Sequence, residues 1–260
     1  MMRARTWFFV RGSTRAPRAA AGLLLALALV GCRSHYRKVR SFELDPGGGC
    51  AVLEIDGEFC WGTRSAERSA KPTRSKAEPS APQTVARFDV QTDTTGAQLC
   101  DRSKTPAVCA TPDDPSTVAI GVHHACFVAK DGAVWCLGDA DHGRLGADGD
   151  GPQPVQVRGV AGARKVVVAD DAACVLLGDG TVSCWGDNSK HTLAQAKPGV
   201  LEPSPLVGLF AIVDLAAAGD QVCASLTDGG LRCWGTVRGE GASNGRGGTV
   251  NNVPMPVMFP

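Results

Sequence analysis

The chain has 260 residues, 43% hydrophobic and 20% charged, with 27 Lys and Arg against 26 Asp and Glu. That balance excludes a disordered chain. With 32 Gly, 16 Pro and only 5% aromatic residues, the composition predicts many short strands joined by turns, with cores of Val, Leu, Ala and Cys.

The first element is an export signal over residues 1–31. Arg3, Arg5, Arg11, Arg15 and Arg18 give a basic start without acids, and residues 19–31 form an apolar run of 13, shorter than the ~20 residues that span a bilayer. The run ends in Leu29-Val30-Gly31-Cys32, which resembles the lipobox of bacterial lipoproteins. The resemblance implies cleavage before Cys32 and diacylglycerol on its sulfur, placing the chain at a membrane of the bacterial cell envelope, facing periplasm or cell surface. The rival is an ordinary signal peptide with a chance cysteine. From Cys32 onward 22 basic and 26 acidic residues remain, a net charge near −4; nucleic-acid binding needs a basic footprint that this chain lacks. Residues 32–40 then form a short basic tether.

Residues 41–260 are organised by one phrase used four times: CAVLEIDGEFCWG from Cys50, CFVAKDGAVWCLG from Cys126, CVLLGDGTVSCWG from Cys174 and CASLTDGGLRCWG from Cys223. Each reads as strand, turn, strand, and a spacing near 48 residues marks a propeller or repeat array. Nine residues separate the two cysteines of each copy, with an Asp-Gly between them. A three-residue loop such as Lys130-Asp131-Gly132, closed by a left-handed Gly, sets Cys126 directly opposite Cys136, within disulfide reach. Setting Cys32 aside, ten cysteines remain as five local pairs, Cys50 with Cys60, Cys100 with Cys109, Cys126 with Cys136, Cys174 with Cys184 and Cys223 with Cys233. In an exported chain these read as disulfides; bridges between blades are the rival pairing. Trp61, Trp185 and Trp234 follow the second cysteine and read as packing between blades. Trp135 precedes it and faces the other way, so Leu137 takes the tryptophan's place.

Between the copies, residues 63–80 are polar and predict a mobile loop. APQTVARFDV (81–90) resembles the Pro-rich segments before the later copies, each read as the strand that opens the next repeat. Residues 90–116 read as an insertion, stapled by Cys100 and Cys109 and lacking a core; recognition and mere tolerance of extra chain are equal readings. Near the C-terminus Val253-Pro254-Met255-Pro256-Val257 resembles one more opening strand with no repeat after it. It predicts either ring closure, by completing the first blade, or an incomplete array.

Cys136-Leu137-Gly138-Asp139-Ala140-Asp141-His142-Gly143-Arg144-Leu145-Gly146 resembles the signature of the regulator of chromosome condensation repeat family, and Cys184-Trp185-Gly186-Asp187-Asn188 resembles its first half. Lys190-His191-Thr192-Leu193-Ala194 departs from it. The resemblance implies an all-β propeller of four-stranded blades; family members usually have seven blades, and four copies are recognisable here. The eukaryotic namesake is a nucleotide-exchange factor, an activity not expected of an exported chain. Exported bacterial relatives resemble binding proteins, among them an inhibitor of β-lactamases. His123 and His124 have no counterpart in the other copies and predict structural or surface roles. Asp139, Asp141, Asp148 and Asp150 flank a Gly-rich loop without Ca²⁺-loop spacing. No nucleophile, phosphate or cofactor motif is present, and no metal site is expected. The expectation is a lipid-anchored binding or scaffold protein for an envelope protein or polymer, without catalysis; the alternative is a polysaccharide-acting enzyme on a propeller scaffold.

Overall fold

A computed structural model of the chain describes residues 38–45, 48–54, 57–62, 87–93, 96–147, 153–195, 199–237 and 249–257. The signal, Cys32, most of the tether, the 63–80 loop, Asp148 and Asp150 lie outside them.

The described residues form five antiparallel sheets and no α-helix. Sheet I holds β1 (Val39–Asp45), β2 (Gly48–Leu53) and β3 (Gly57–Gly62). Sheet II holds β4 (Phe88–Asp93), β5 (Gly96–Asp101) and β6 (Val108–Ala110). Sheet III holds β7 (Val118–Ile120), β8 (His124–Val128), β9 (Val134–Gly138) and β10 (Val155–Gln156). Sheet IV holds β11 (Ala163–Val168), β12 (Ala172–Leu177), β13 (Val182–Asp187) and β14 (Gly199–Pro205). Sheet V holds β15 (Ile212–Ala218), β16 (Gln221–Leu226), β17 (Leu231–Val237) and β18 (Thr249–Pro256). Each is a meander in chain order, the strand arrangement of propeller blades.

The repeated phrase is the central hairpin of its sheet. In β8 and β9, Cys126 stands opposite Cys136 and Val128 opposite Val134. Gly132 closes the loop at φ +79°, donating its N–H to the Ala129 carbonyl. The aspartate caps the turn from within, since Oδ1 of Asp131, Asp179 and Asp228 accepts the backbone N–H two residues on, at 2.8–2.9 Å. Five bridges join the ten cysteines within their own sheets, with Cα separations of 4.0–4.1 Å. This is the narrow kind of site in an antiparallel ladder.

Adjacent strand residues face opposite ways, so a Cys-Trp pair gives its sheet two different faces. The cystine Cys174–Cys184 packs toward sheet V, in a cluster that contains Leu215, Val222 and Trp234. Trp185 packs toward sheet III, beside Cys126, Val128 and Cys136. Leu137 fills the tryptophan position of sheet III and meets Phe88, Leu99 and Ala110 of sheet II. Sheets II, III, IV and V therefore stack in sequence order. Sheet I does not precede sheet II in the stack. Phe42, Ala51 and Trp61 pack on Cys223, Leu231 and Val257 of sheet V, and the Val39 N–H bonds the Gly229 carbonyl. The described clusters thus run II–III–IV–V–I.

Three expectations are corrected. Residues 90–116 are not a coreless insertion, because 88–110 makes sheet II, with Phe88 and Leu99 fully buried. Its cystine has the opposite facing: Leu99 and Ala110 point toward sheet III, so Cys100 and Cys109 point away from it. The Pro-rich segments before the copies at Cys174 and Cys223 do not open the next repeat; β10 and β14 are the last strands of sheets III and IV. Likewise the C-terminal strand β18 does not complete sheet I, but pairs with β17 as the edge of sheet V. An edge strand tolerates Pro because one side of its backbone needs no partner.

Candidate functional site

The stack has two unlike ends. At one, the Asp-Gly turns of sheets III, IV and V each bond the first strand of the next sheet in the stack: Gly132 O takes the Ala163 N–H, Gly180 O the Ile212 N–H and Gly229 O the Val39 N–H. At the other, the N–H after each Gly of the Cys-x-Gly motif bonds back across the mouth of the hairpin, Asp139 to His123, Asp187 to Asp171 and Thr236 to Asp220. The charged groups gather at this second end.

Arg87, just before β4, sits at their centre. Its Nε and Nη2 reach the two oxygens of Asp101 at 3.1 and 2.9 Å, and Nη1 and Nη2 reach those of Asp139 at 2.6 and 2.7 Å. One guanidinium forks onto two carboxylates and ties sheet II to sheet III. Lys104 lies 3.6 Å from Asp139. His123 stands between sheets, 3.8 Å from Asp139 and 3.9 Å from Asp171. Arg144 then leaves the sheet III loop to hold Asp171 of sheet IV through Nε and Nη2, at 2.9 and 2.6 Å. The result is a chain of polar side chains, Asp101, Arg87, Asp139, His123, Asp171 and Arg144, across three sheets.

The chemistry of these groups follows from their partners. Hydrogen bonds from Arg87 pull Asp139 down to about 2 from 3.8 and hold Arg87 above its usual range. Asp101 is raised by burial, yet the bonds from Arg87 and Ser103 outweigh this and leave it lowered. These carboxylates stay ionised at neutral pH and are occupied, the opposite of what proton transfer requires. His124 is fully buried, with neither ring nitrogen partnered. Burial, then the positive charge of Arg144, pushes it down to about 3, so it stays neutral. Its counterparts are Ala172 and Gln221, also buried, so His124 fills a core slot.

The same loops fasten the sheets. Trp185 Nε1 donates to the Arg144 carbonyl at 2.9 Å, and Trp234 Nε1 to the Thr192 carbonyl at 2.8 Å. The loop of one sheet thus receives the indole of the next. Sequence reasoning found the tryptophans as packing groups and missed this bond. It also missed Arg87, Asp101 and Arg144. The departing sequence of sheet IV keeps the loop shape of sheet III: His191 and Ala194 take φ +58° and +49°, where Gly143 and Gly146 take +74° and +66°. Asn188 helps hold that loop, accepting the Leu193 N–H at 2.9 Å and donating to the Gln195 carbonyl at 2.7 Å. Asp141 is exposed at the start of the sheet III loop, 4.0 Å from Arg144. Among the described residues one grouping has metal-ligand spacing, Cys50, Glu58 and Cys60, and the Cys50–Cys60 bridge removes two of its three ligands.

Fold and site together define a cystine-stapled, all-β repeat protein whose propeller blades carry a charged end. Residues 164–192 match the regulator of chromosome condensation (RCC1) repeat, and the cystine hairpin of that segment has structural counterparts in sheets III and V. No curated protein matches its sequence. Among solved structures it is similar to human WBSCR16 (17% identity, 84% of this chain and 51% of that one, TM-score 0.48). It is also similar to yeast RCC1 (Prp20) in its complex with Kap60 (15%, 84% and 63%, TM-score 0.49) and to Prp20p of Saccharomyces cerevisiae alone (15%, 85% and 51%, TM-score 0.46). The chain spans between about half and two thirds of the length of these proteins.

Proposed function

We propose that the chain is a binding module of a bacterial cell envelope, held to a membrane through acylated Cys32, and that the charged end engages an envelope protein or polymer. One observation carries this reading. The polar chain from Asp101 to Arg144 is mounted on a cystine-stapled stack, and the two side chains flanking its Asp139, Lys104 and His123, are 49% and 41% exposed. Polar groups on loops of a rigid frame suit recognition, and the occupied carboxylates suit binding better than acid–base work. Five disulfides fit an exported chain, and no helix among the described residues is long and apolar enough to cross a membrane.

The test is capture from envelope extract, with Cys32→Ala protein as bait beside the same bait carrying Lys104→Glu and His123→Glu. A component retained by the first and reduced at least about tenfold by the second, a loss of about 1.4 kcal/mol, supports the reading. Equal retention moves the site elsewhere. Retention by neither refutes the module in this form.

A further inference from the structure

The end of the stack opposite the charged chain has an unusual surface. The loop that enters β15 exposes Val207 to 92% and Phe210 to 69%, and Val213 beside it is 50% exposed. The first strands of sheets I, IV and V share a device: the ladder register slips at the second residue, Arg40, Arg164 and Val213 respectively. A bulge re-aims the side chain it carries, and Arg40 and Arg164 are exposed like Val213. Three adjacent sheets thus present arginine, valine and arginine at one level, with Val207 and Phe210 close by in sequence.

The described chain also enters at this end. Val39 N–H meets the Gly229 turn as Ile212 N–H meets the Gly180 turn, so Lys38 and Ala211 are equivalent positions. Six residue steps separate Cys32 from Lys38, a reach of at most about 22 Å. A seven-residue strand such as β15 is itself about 23 Å long. An acyl group on Cys32 therefore draws the turn end toward the bilayer. The aspartates there are engaged: Asp179 and Asp228 cap their turns, and Asp214 pairs with Lys165 at 2.6 Å.

We infer that the turn end is a membrane-docking surface, with Val207 and Phe210 seated at the headgroup boundary and Arg40 and Arg164 on anionic headgroups. This rests on the acylation proposed above. Apolar side chains with an arginine on the sheet to either side match a lipid surface, which accepts apolar groups to a depth of about 5–10 Å and attracts cations. The docked stack then presents its charged end away from the bilayer.

The test uses full-length acylated protein with Phe210→Trp, in phosphatidylethanolamine–phosphatidylglycerol vesicles with or without brominated acyl chains. Trp61, Trp185 and Trp234 are fully buried, so unaltered protein supplies the baseline. The added indole is expected to lose at least about half its emission to brominated lipid at that depth, and adding Val207→Asp to reverse the loss. In unaltered protein, amide exchange over 207–211 is expected to slow in vesicles relative to detergent. Mass analysis of the same samples reads the acyl group. An unacylated Cys32 overturns the anchoring and the docking together. An acylated chain with an unquenched indole and unchanged exchange overturns the docking alone, even if another protein covers the loop.

Discussion

Gly146 is where the fastening between sheets III and IV is most sensitive. Its φ is +66°, and a Cβ added there would lie 2.8 Å from Val157 Cγ1 and 2.9 Å from Trp185 Nε1, the atom that bonds the Arg144 carbonyl. Gly159 has nearly the same φ, +68°, with nothing within 4 Å of an added Cβ. Gly159→Ala therefore carries backbone strain alone. An L-residue in this region costs about 1–2 kcal/mol, offset by about 0.5–1 kcal/mol from the reduced freedom of the unfolded chain. A loss of about 0.5–1 kcal/mol is expected. Gly146→Ala adds overpacking against an indole that cannot retreat without losing its bond, worth about 1–3 kcal/mol more. At about 2–4 °C per kcal/mol for a domain this size, Gly159→Ala should lower Tm by about 1–4 °C and Gly146→Ala by about 3–16 °C. The assay is calorimetric unfolding of both oxidised variants in one buffer. Equal shifts would refute the argument, because they would show that the Trp185 seat is not a fixed contact.

Trp185→Phe and Trp234→Phe should each destabilise by about 1–2 kcal/mol more than Trp61→Phe, measured by urea midpoint. Loss of two of these indoles leaves a carbonyl without its donor, whereas the buried Trp61 Nε1 has no partner among the described residues. For Asp139 the folded pKa of about 2 lies below the ordinary 3.8, so its stabilisation is present above pH 3.8 and lost as pH falls toward 2. Asp139→Asn should remove about 2 kcal/mol of stability at neutral pH and flatten the titration in that window. For His124 the folded value of about 3 lies below 6.5; the unfolded chain takes up the proton first, so stability falls as pH drops from 6.5 toward 3. His124→Gln should reduce that slope, read as the urea midpoint against pH. Reduction should unfold the chain, each local bridge contributing about 2–3 kcal/mol, seen as loss of near-ultraviolet circular dichroism in dithiothreitol.

The hairpins of sheets III, IV and V were legible because cysteine spacing and turn chemistry agree. A bridge nine residues wide with Asp-Gly inside admits one register, and Cys126 opposite Cys136 follows from it. Sheet II was hidden for the same reason: Cys100 and Cys109 are one residue closer, without Asp-Gly or tryptophan, so the signals that marked the other copies were missing. The Pro-rich strands were assigned to the wrong neighbour because proline marks an edge without telling which sheet owns it. The charged end was least legible. Arg87 and Asp139 are 52 residues apart, and the copies repeat their charges only in part: Asp187 stands where Asp139 does, but Thr236 takes that place in sheet V.

The seam between sheets I and V has a consequence for the order of events in a living cell. Of the five sheets, sheet I is made first, yet the surface that buries Phe42 and Trp61 belongs to sheet V, the last of them to be made. Its cystine can form early, because Cys50 and Cys60 need only each other, but its apolar face has no cover until about 160 more residues have arrived. During that interval an exposed tryptophan and phenylalanine sit on a three-stranded sheet, the kind of surface that chaperones and stray strand edges recognise. Loss of β18 would therefore be felt at both termini of the chain.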